Sequence, residues 1–131
     1  MGMPAAKMGD KVVATDIHII MVPTPGGPVA TPIPHPFSGT LSTGLSTNVM
    51  IENKPAAILG CGGMNTPPHI PLGGGPFQTP PTNECTVIMG SQTVLINNKP
   101  AVRNGDTANT CNDPSPLPVG KVVAVSTVLI G

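Results

Sequence analysis

An all-β fold, a small cone of short strands and tight turns, is what the sequence predicts, and three observations lead there. Eighteen prolines and sixteen glycines make up about a quarter of the 131 residues. No stretch of ordinary helical length therefore avoids both residues while keeping a 3.6-residue apolar period. Between these breakers lie brief runs of Val, Ile and Leu, the pattern of short strands joined by turns. Finally, one strand-and-turn unit recurs along the chain. Proline and glycine at this density also occur in disordered chains, but those are polar and strongly charged. Here six basic residues balance six acidic ones, and the mean hydropathy is positive.

The repeat sets the order of elements. Its turn segment occupies residues 3–10, 54–61 and 99–106: Met3-Pro4-Ala5-Ala6-Lys7-Met8-Gly9-Asp10, Lys54-Pro55-Ala56-Ala57-Ile58-Leu59-Gly60-Cys61 and Lys99-Pro100-Ala101-Val102-Arg103-Asn104-Gly105-Asp106. The second and third copies follow similar strands, Asn48–Asn53 and Thr93–Asn98. The first has no strand before it, whereas Ser126–Gly131 repeats the strand with no turn segment after it. Joining these two halves in space completes a third unit, so the pattern predicts a closed, pseudo-threefold arrangement with adjacent ends. An open solenoid would instead carry distinct, polar capping units. Glu52-Asn53 and Asn97-Asn98 are expected to form hairpin turns, and Gly9-Asp10 and Gly105-Asp106 second turns. Residues 1–131 read as a single domain, with no segment left for an effector extension.

The expected core is thin. There is no Trp or Tyr, and Phe37 and Phe77 are the only aromatics. Small domains with little large apolar surface depend on a disulfide, a metal or a partner. The net charge of zero and the lack of a basic run argue against nucleic acid. No apolar run approaches the roughly 20 residues that span a bilayer. Met1-Gly2-Met3-Pro4 does not open a signal peptide, so synthesis in the cytoplasm and departure by a route that reads no N-terminal signal are expected. In that reducing compartment a disulfide is not expected. Cys61 and Cys85 read as small buried hydrophobes.

The turn segments resemble the Pro-Ala-Ala-Arg signature of PAAR-repeat proteins. Pro4-Ala5-Ala6-Lys7 with Gly9-Asp10 and Pro100-Ala101-Val102-Arg103 with Gly105-Asp106 are near matches. The middle copy departs, with Ile58 for Arg and Cys61 for Asp. Thr15-Asp16-Ile17-His18, Pro34-His35-Pro36-Phe37, Pro67-Pro68-His69 and Thr110-Cys111-Asn112-Asp113 are similar to one subgroup of that family. The resemblance implies a structural cap, not an enzyme. Such a cap sharpens the trimeric VgrG-type spike of a type VI secretion system or related contractile injection machine, one cap per trimer. It aids membrane puncture without lasting insertion, and any effectors ride on it non-covalently. It also implies one structural zinc ion near the tip, held by three His and one Cys.

The repeat register groups some of those ligands independently. His18 and His69 each lie 14 residues after the proline of their own repeat, so a pseudo-threefold fold brings them together near its axis. The matching place in the third repeat is Pro114, three residues beyond Cys111. His35, between Pro34 and Pro36, is expected on a stiff loop that supplies the fourth ligand, with Cys61 as the alternative in its place. Three nitrogens and a thiolate suit tetrahedral zinc. Asp10, Asp16, Asp106 and Asp113 read as turn residues, and Gly26-Gly27-Pro28 and Gly73-Gly74-Gly75-Pro76 as loops. The competing reading is a small zinc-dependent hydrolase or toxin. A Cys–His pair built on Cys111 would lack any oxyanion motif.

Overall fold

The computed structural model describes residues 2–131, and no helix occurs among them. Three miniature antiparallel strand pairs carry the repeat, two of them hairpins. They are β4 (Met50–Ile51) with β5 (Lys54–Pro55), β8 (Leu95–Ile96) with β9 (Lys99–Pro100), and β1 (Met3–Pro4) with β12 (Leu129–Ile130). The last joins the two ends of the described chain, as the split repeat requires. Glu52 and Asn53 have φ of 51° and 67°, and Asn97 and Asn98 have 53° and 64°. Positive φ at both central positions is what a two-residue hairpin turn of the right twist needs.

Immediately after each pair the three turn segments bond to one another in a ring. The Ala6 N–H donates to the Val102 carbonyl (2.9 Å), Val102 to Ala57 (3.1 Å) and Ala57 back to Ala6 (3.0 Å). A second ring follows: Met8 N–H to the Pro55 carbonyl, Leu59 to Pro100 and Asn104 to Pro4, at 2.8–2.9 Å. Small side chains are required where three backbones converge. Ala5, Ala56 and Ala101 are fully buried, packed with Ile51, Ile96 and Ile130 in one apolar layer.

The naming residues of the signature close the next turn. The Asp10 carboxylate accepts the Lys7 N–H at 2.9 Å and lies 3.3 Å from Lys7 Nζ. In the third repeat Asp106 accepts from Arg103 N–H (2.6 Å), Nε (3.2 Å) and Nη2 (2.8 Å). The middle repeat keeps the same backbone turn, Cys61 N–H to the Ile58 carbonyl at 2.9 Å. It replaces the ion pair with two buried apolar side chains. Gly9, Gly60 and Gly105 hold equivalent places with φ near +90°, at 91°, 90° and 88°, which side chains with a Cβ rarely adopt.

Beyond these turns stands a closed barrel, in the order β10 (Thr107–Thr110), β11 (Leu117–Val123), β2 (Lys11–Val22), β3 (Val29–Thr43), β6 (Gly62–Asn65) and β7 (Glu84–Val87). Its apolar filling includes Val12, Phe37, Leu41, Cys61, Cys85, Val87 and Val122. Two strands are longer than the short elements expected, at 12 residues for β2 and 15 for β3. Pro34-His35-Pro36 is therefore strand, not the stiff loop expected. Pro32, Pro34 and Pro36 face Ile19, Ile17 and Thr15. The N–H groups of Ile17 and Ile19 bond to Asn112 and Asp113, away from β3. These prolines thus occupy pairs that need no N–H from β3, the places in a ladder where proline is tolerated.

Two substitutions test this account of the turns. Asp106→Ala strands the Arg103 N–H and should cost about 1–3 kcal/mol. Cys61→Asp moves the middle repeat toward its sisters yet should also destabilise, because Ile58 offers no counter-charge. Denaturant midpoints equal to the parent in either variant would contradict it.

Candidate metal centre

Alternation along the two long strands builds the site. The inward side chains of β2 run Val12, Ala14, Asp16, His18, Ile20, and those of β3 run Ile33, His35, Phe37, Gly39, Leu41. Asp16 pairs with His35, and His18 with Ile33. The third histidine follows β6, which stops before Pro67-Pro68. Its N–H is held by Asn83 Oδ1 at 2.8 Å. Cys111 follows β10 directly. The next two side chains continue the free edge of β2, with Asn112 Oδ1 accepting the Ile17 N–H (2.7 Å) and Asp113 Oδ2 the Ile19 N–H (2.8 Å).

The result is a buried donor cluster. Ligand atoms of Asp16, His18, His69 and Cys111 all lie within 4.8 Å of one another. His69 Nε2 is 2.9 Å from Asp16 Oδ2, Cys111 Sγ is 3.4 Å from that oxygen, and Sγ is 3.6 Å from His18 Nε2. Bonds of roughly 2.0–2.3 Å to a tetrahedral ion place donors about 3–4 Å apart, the spacing of Cys111 Sγ from His18 Nε2. His18 Nδ1 is buried without a hydrogen-bond partner, 3.6 Å from Asp113 Oδ2. A buried set of N, O and S donors at this spacing fits a metal, and the four residues could hold one.

His35 stands just outside this tight group. Its ring lies 5.5 Å from that of His18 and 5.6 Å from that of His69, centre to centre. Nδ1 is bonded to the Ile33 carbonyl at 2.8 Å, and Nε2 accepts the Leu72 N–H at 3.2 Å. Both aromatics of the chain pack against these imidazoles, Phe77 at 5.7 Å from His18 and Phe37 at 5.9 Å from His69. Cys61 lies in the apolar filling, outside the donor cluster, and Cys85 Sγ is 3.6 Å from the Gly63 carbonyl oxygen. A cavity of about 370 Å³ opens beside His35 and His69, between Phe37, Pro67 and Ile70.

Asp16 corrects the reading of the aspartates as turn residues. It sits in mid-strand and is fully buried. The signal was present: Asp16 and His18 are two apart, hence on one face of any strand. Asp10 and Asp106 do sit in turns.

Burial governs the titration of these groups. It lowers the His18 pKa, against the pull of Asp113, so the ring is held neutral. It pushes the thiols up, to about 12 for Cys61, about 11 for Cys85 and about 12 for Cys111, with Asp16 adding to the rise at Cys111. All three cysteines are free and buried. A thiol titrating that high supplies almost no thiolate near neutrality. The metal-free native protein should therefore resist a thiol-specific disulfide reagent at pH 8 and react at every cysteine once unfolded. Rapid native labelling would show that the thiols are neither buried nor raised.

Comparison with known proteins places this geometry. No curated protein matches the chain. A family model described as the PAAR motif matches residues 21–114. That span holds the middle and third repeats together with His35, His69 and Cys111, while the first repeat and His18 join them through the fold. The chain belongs to the PAAR-motif family, a family of spike-tip-type proteins of contractile secretion systems.

Proposed function

We propose that this protein caps the trimeric, VgrG-like spike of a type VI secretion or related contractile injection apparatus, one chain per trimer. The observation that carries the reading is a threefold apolar face. Met50, Leu95 and Leu129 hold equivalent hairpin positions and are 59, 61 and 62 % exposed. A single chain with three like edges matches a partner with three like chains. Pairing would cover open strand ends that otherwise invite fraying and aggregation. In this reading residues 1–131 act as one rigid domain. It is made in the cytoplasm and leaves at the spike tip, where it aids membrane puncture and any effector travels non-covalently. Among the described residues no helix is long and apolar enough to cross a membrane.

The ion assigned to the tip is zinc, held by His18, His35, His69 and Cys111. His18, His69 and Cys111 already meet. His35 is oriented for the role because its Nδ1–H is given to a backbone carbonyl, the common partner of a ligating imidazole, so that Nε2 carries the lone pair, which an ion would take over from the Leu72 N–H. When bound, such an ion adds folding free energy to a fold with few large apolar side chains. The role is structural. A centre whose four positions are all filled by protein leaves none open for a catalytic water, which favours a cap over a zinc-dependent hydrolase.

Co-purification with a trimeric spike protein tests the proposal. The expected complex holds one chain and one zinc per three spike chains. Leu95→Glu, a change at an exposed site, should weaken it while leaving the melting temperature intact. No association with any spike trimer, or undiminished binding by Leu95→Glu, would contradict the assigned face.

A further inference from the structure

We propose that Asp16 is the positioning carboxylate of the metal centre, the group that orients its donors without being one of the four ligands. This rests on the zinc reading above. Asp16 is wholly buried, and each of its oxygens is engaged. Oδ1 accepts from the Thr110 hydroxyl and from Asn112 Nδ2 at 3.3 Å. Oδ2 meets His69 Nε2 at 2.9 Å and Cys111 Sγ at 3.4 Å. One carboxylate is thus anchored on β10 and the residue after Cys111 by one oxygen, and grips two assigned ligands by the other.

That arrangement has a chemical consequence. A carboxylate accepts hydrogen bonds and cannot donate them, so His69 gives Asp16 its Nε2–H and keeps its lone pair on Nδ1. The tautomer and ring orientation of His69 are then set before any ion arrives. Carboxylate–histidine pairs of this kind tune metal affinity through the ligand they orient. Asn112 is fixed in turn: its Nδ2 also donates to the Thr110 carbonyl at 3.1 Å, and its Oδ1 holds the Ile17 N–H. The Asp16–Thr110–Asn112 set therefore ties the His69 and Cys111 sides of the centre to β2.

Cobalt(II) titration of the chelator-stripped chain, followed through its ligand-field and thiolate charge-transfer bands, tests this. Asp16→Asn should bind one cobalt with unchanged band positions but about 10–100-fold more weakly. Thr110→Val, which removes the hydroxyl that props Oδ1 and accepts from Asn112 Nδ2 at 3.3 Å, should shift affinity the same way by less, and it decides the matter if Asp16→Asn fails to fold. Unchanged affinity in the folded variants, with or without a lower melting temperature of the metal-free form, would reduce Asp16 to a structural residue and overturn the proposal. Altered band positions in Asp16→Asn would make it a ligand and equally overturn it. A parent chain that takes up no cobalt would instead remove the metal reading itself.

Discussion

The ring of backbone hydrogen bonds among Ala6, Ala57 and Val102 is the constraint on which the other parts depend. Each bond joins two different repeats, so none forms by local folding alone. The ring can close only if the N-terminal turn segment finds the C-terminal strand, which it does through Met3–Ile130 and Pro4–Leu129. Once three backbones meet at this spacing, the choice of side chain narrows sharply. Ala5, Ala56 and Ala101 are fully buried in that crowded layer, which suits the first alanine of the signature, whereas Val102 shows that the second place takes a larger side chain. The following Lys or Arg with its Gly-Asp has a different origin. It closes a turn by ion pair and by N–H capture, and Ile58 with Cys61 shows that an apolar pair can hold the same turn.

From the ring upward the interior changes character. An apolar layer of isoleucines and alanines gives way to Val12, Leu41, Phe37 and their neighbours. Asp16, His18, His35 and His69 follow, where a larger protein would have more hydrocarbon. Placing such groups inside is costly unless their hydrogen-bonding capacity is met. Asp16 is met fully by protein, His18 is not. An ion at this level would cross-link β2, β3 and the segments after β6 and β10. In the proposed reading, the exposed apolar residues at the ring end and the donor cluster beyond the barrel filling divide two tasks within one small chain, partner contact and internal cross-linking.

Much of this was legible in the residues. The split repeat specified closure and the meeting of its ends, the paired Asn and Glu-Asn positions specified hairpin turns, and equal offsets from Pro4 and Pro55 placed His18 beside His69, whose rings lie 4.8 Å apart. What escaped is equally specific. Prolines at every second position disguised β3, because proline interrupts a strand only where the partner strand needs its N–H, and β2 does not need it there. Asp16 was hidden by the general habit of aspartate in turns, although its spacing from His18 carried the opposite message. The extension of β2 past β6 and β10, and of β3 past β7 and β11, breaks the threefold pattern, and a repeat register cannot anticipate where a copy departs from it.

Amide hydrogen exchange of the metal-free protein tests the closed ring most directly. If the three repeats form one cooperative unit, the Ala6, Ala57 and Val102 amides open only with global unfolding and share a single, maximal protection. An Ala6 amide that exchanges at the rate of a frayed terminus, while Ala57 and Val102 stay protected, would show that the ring is not closed.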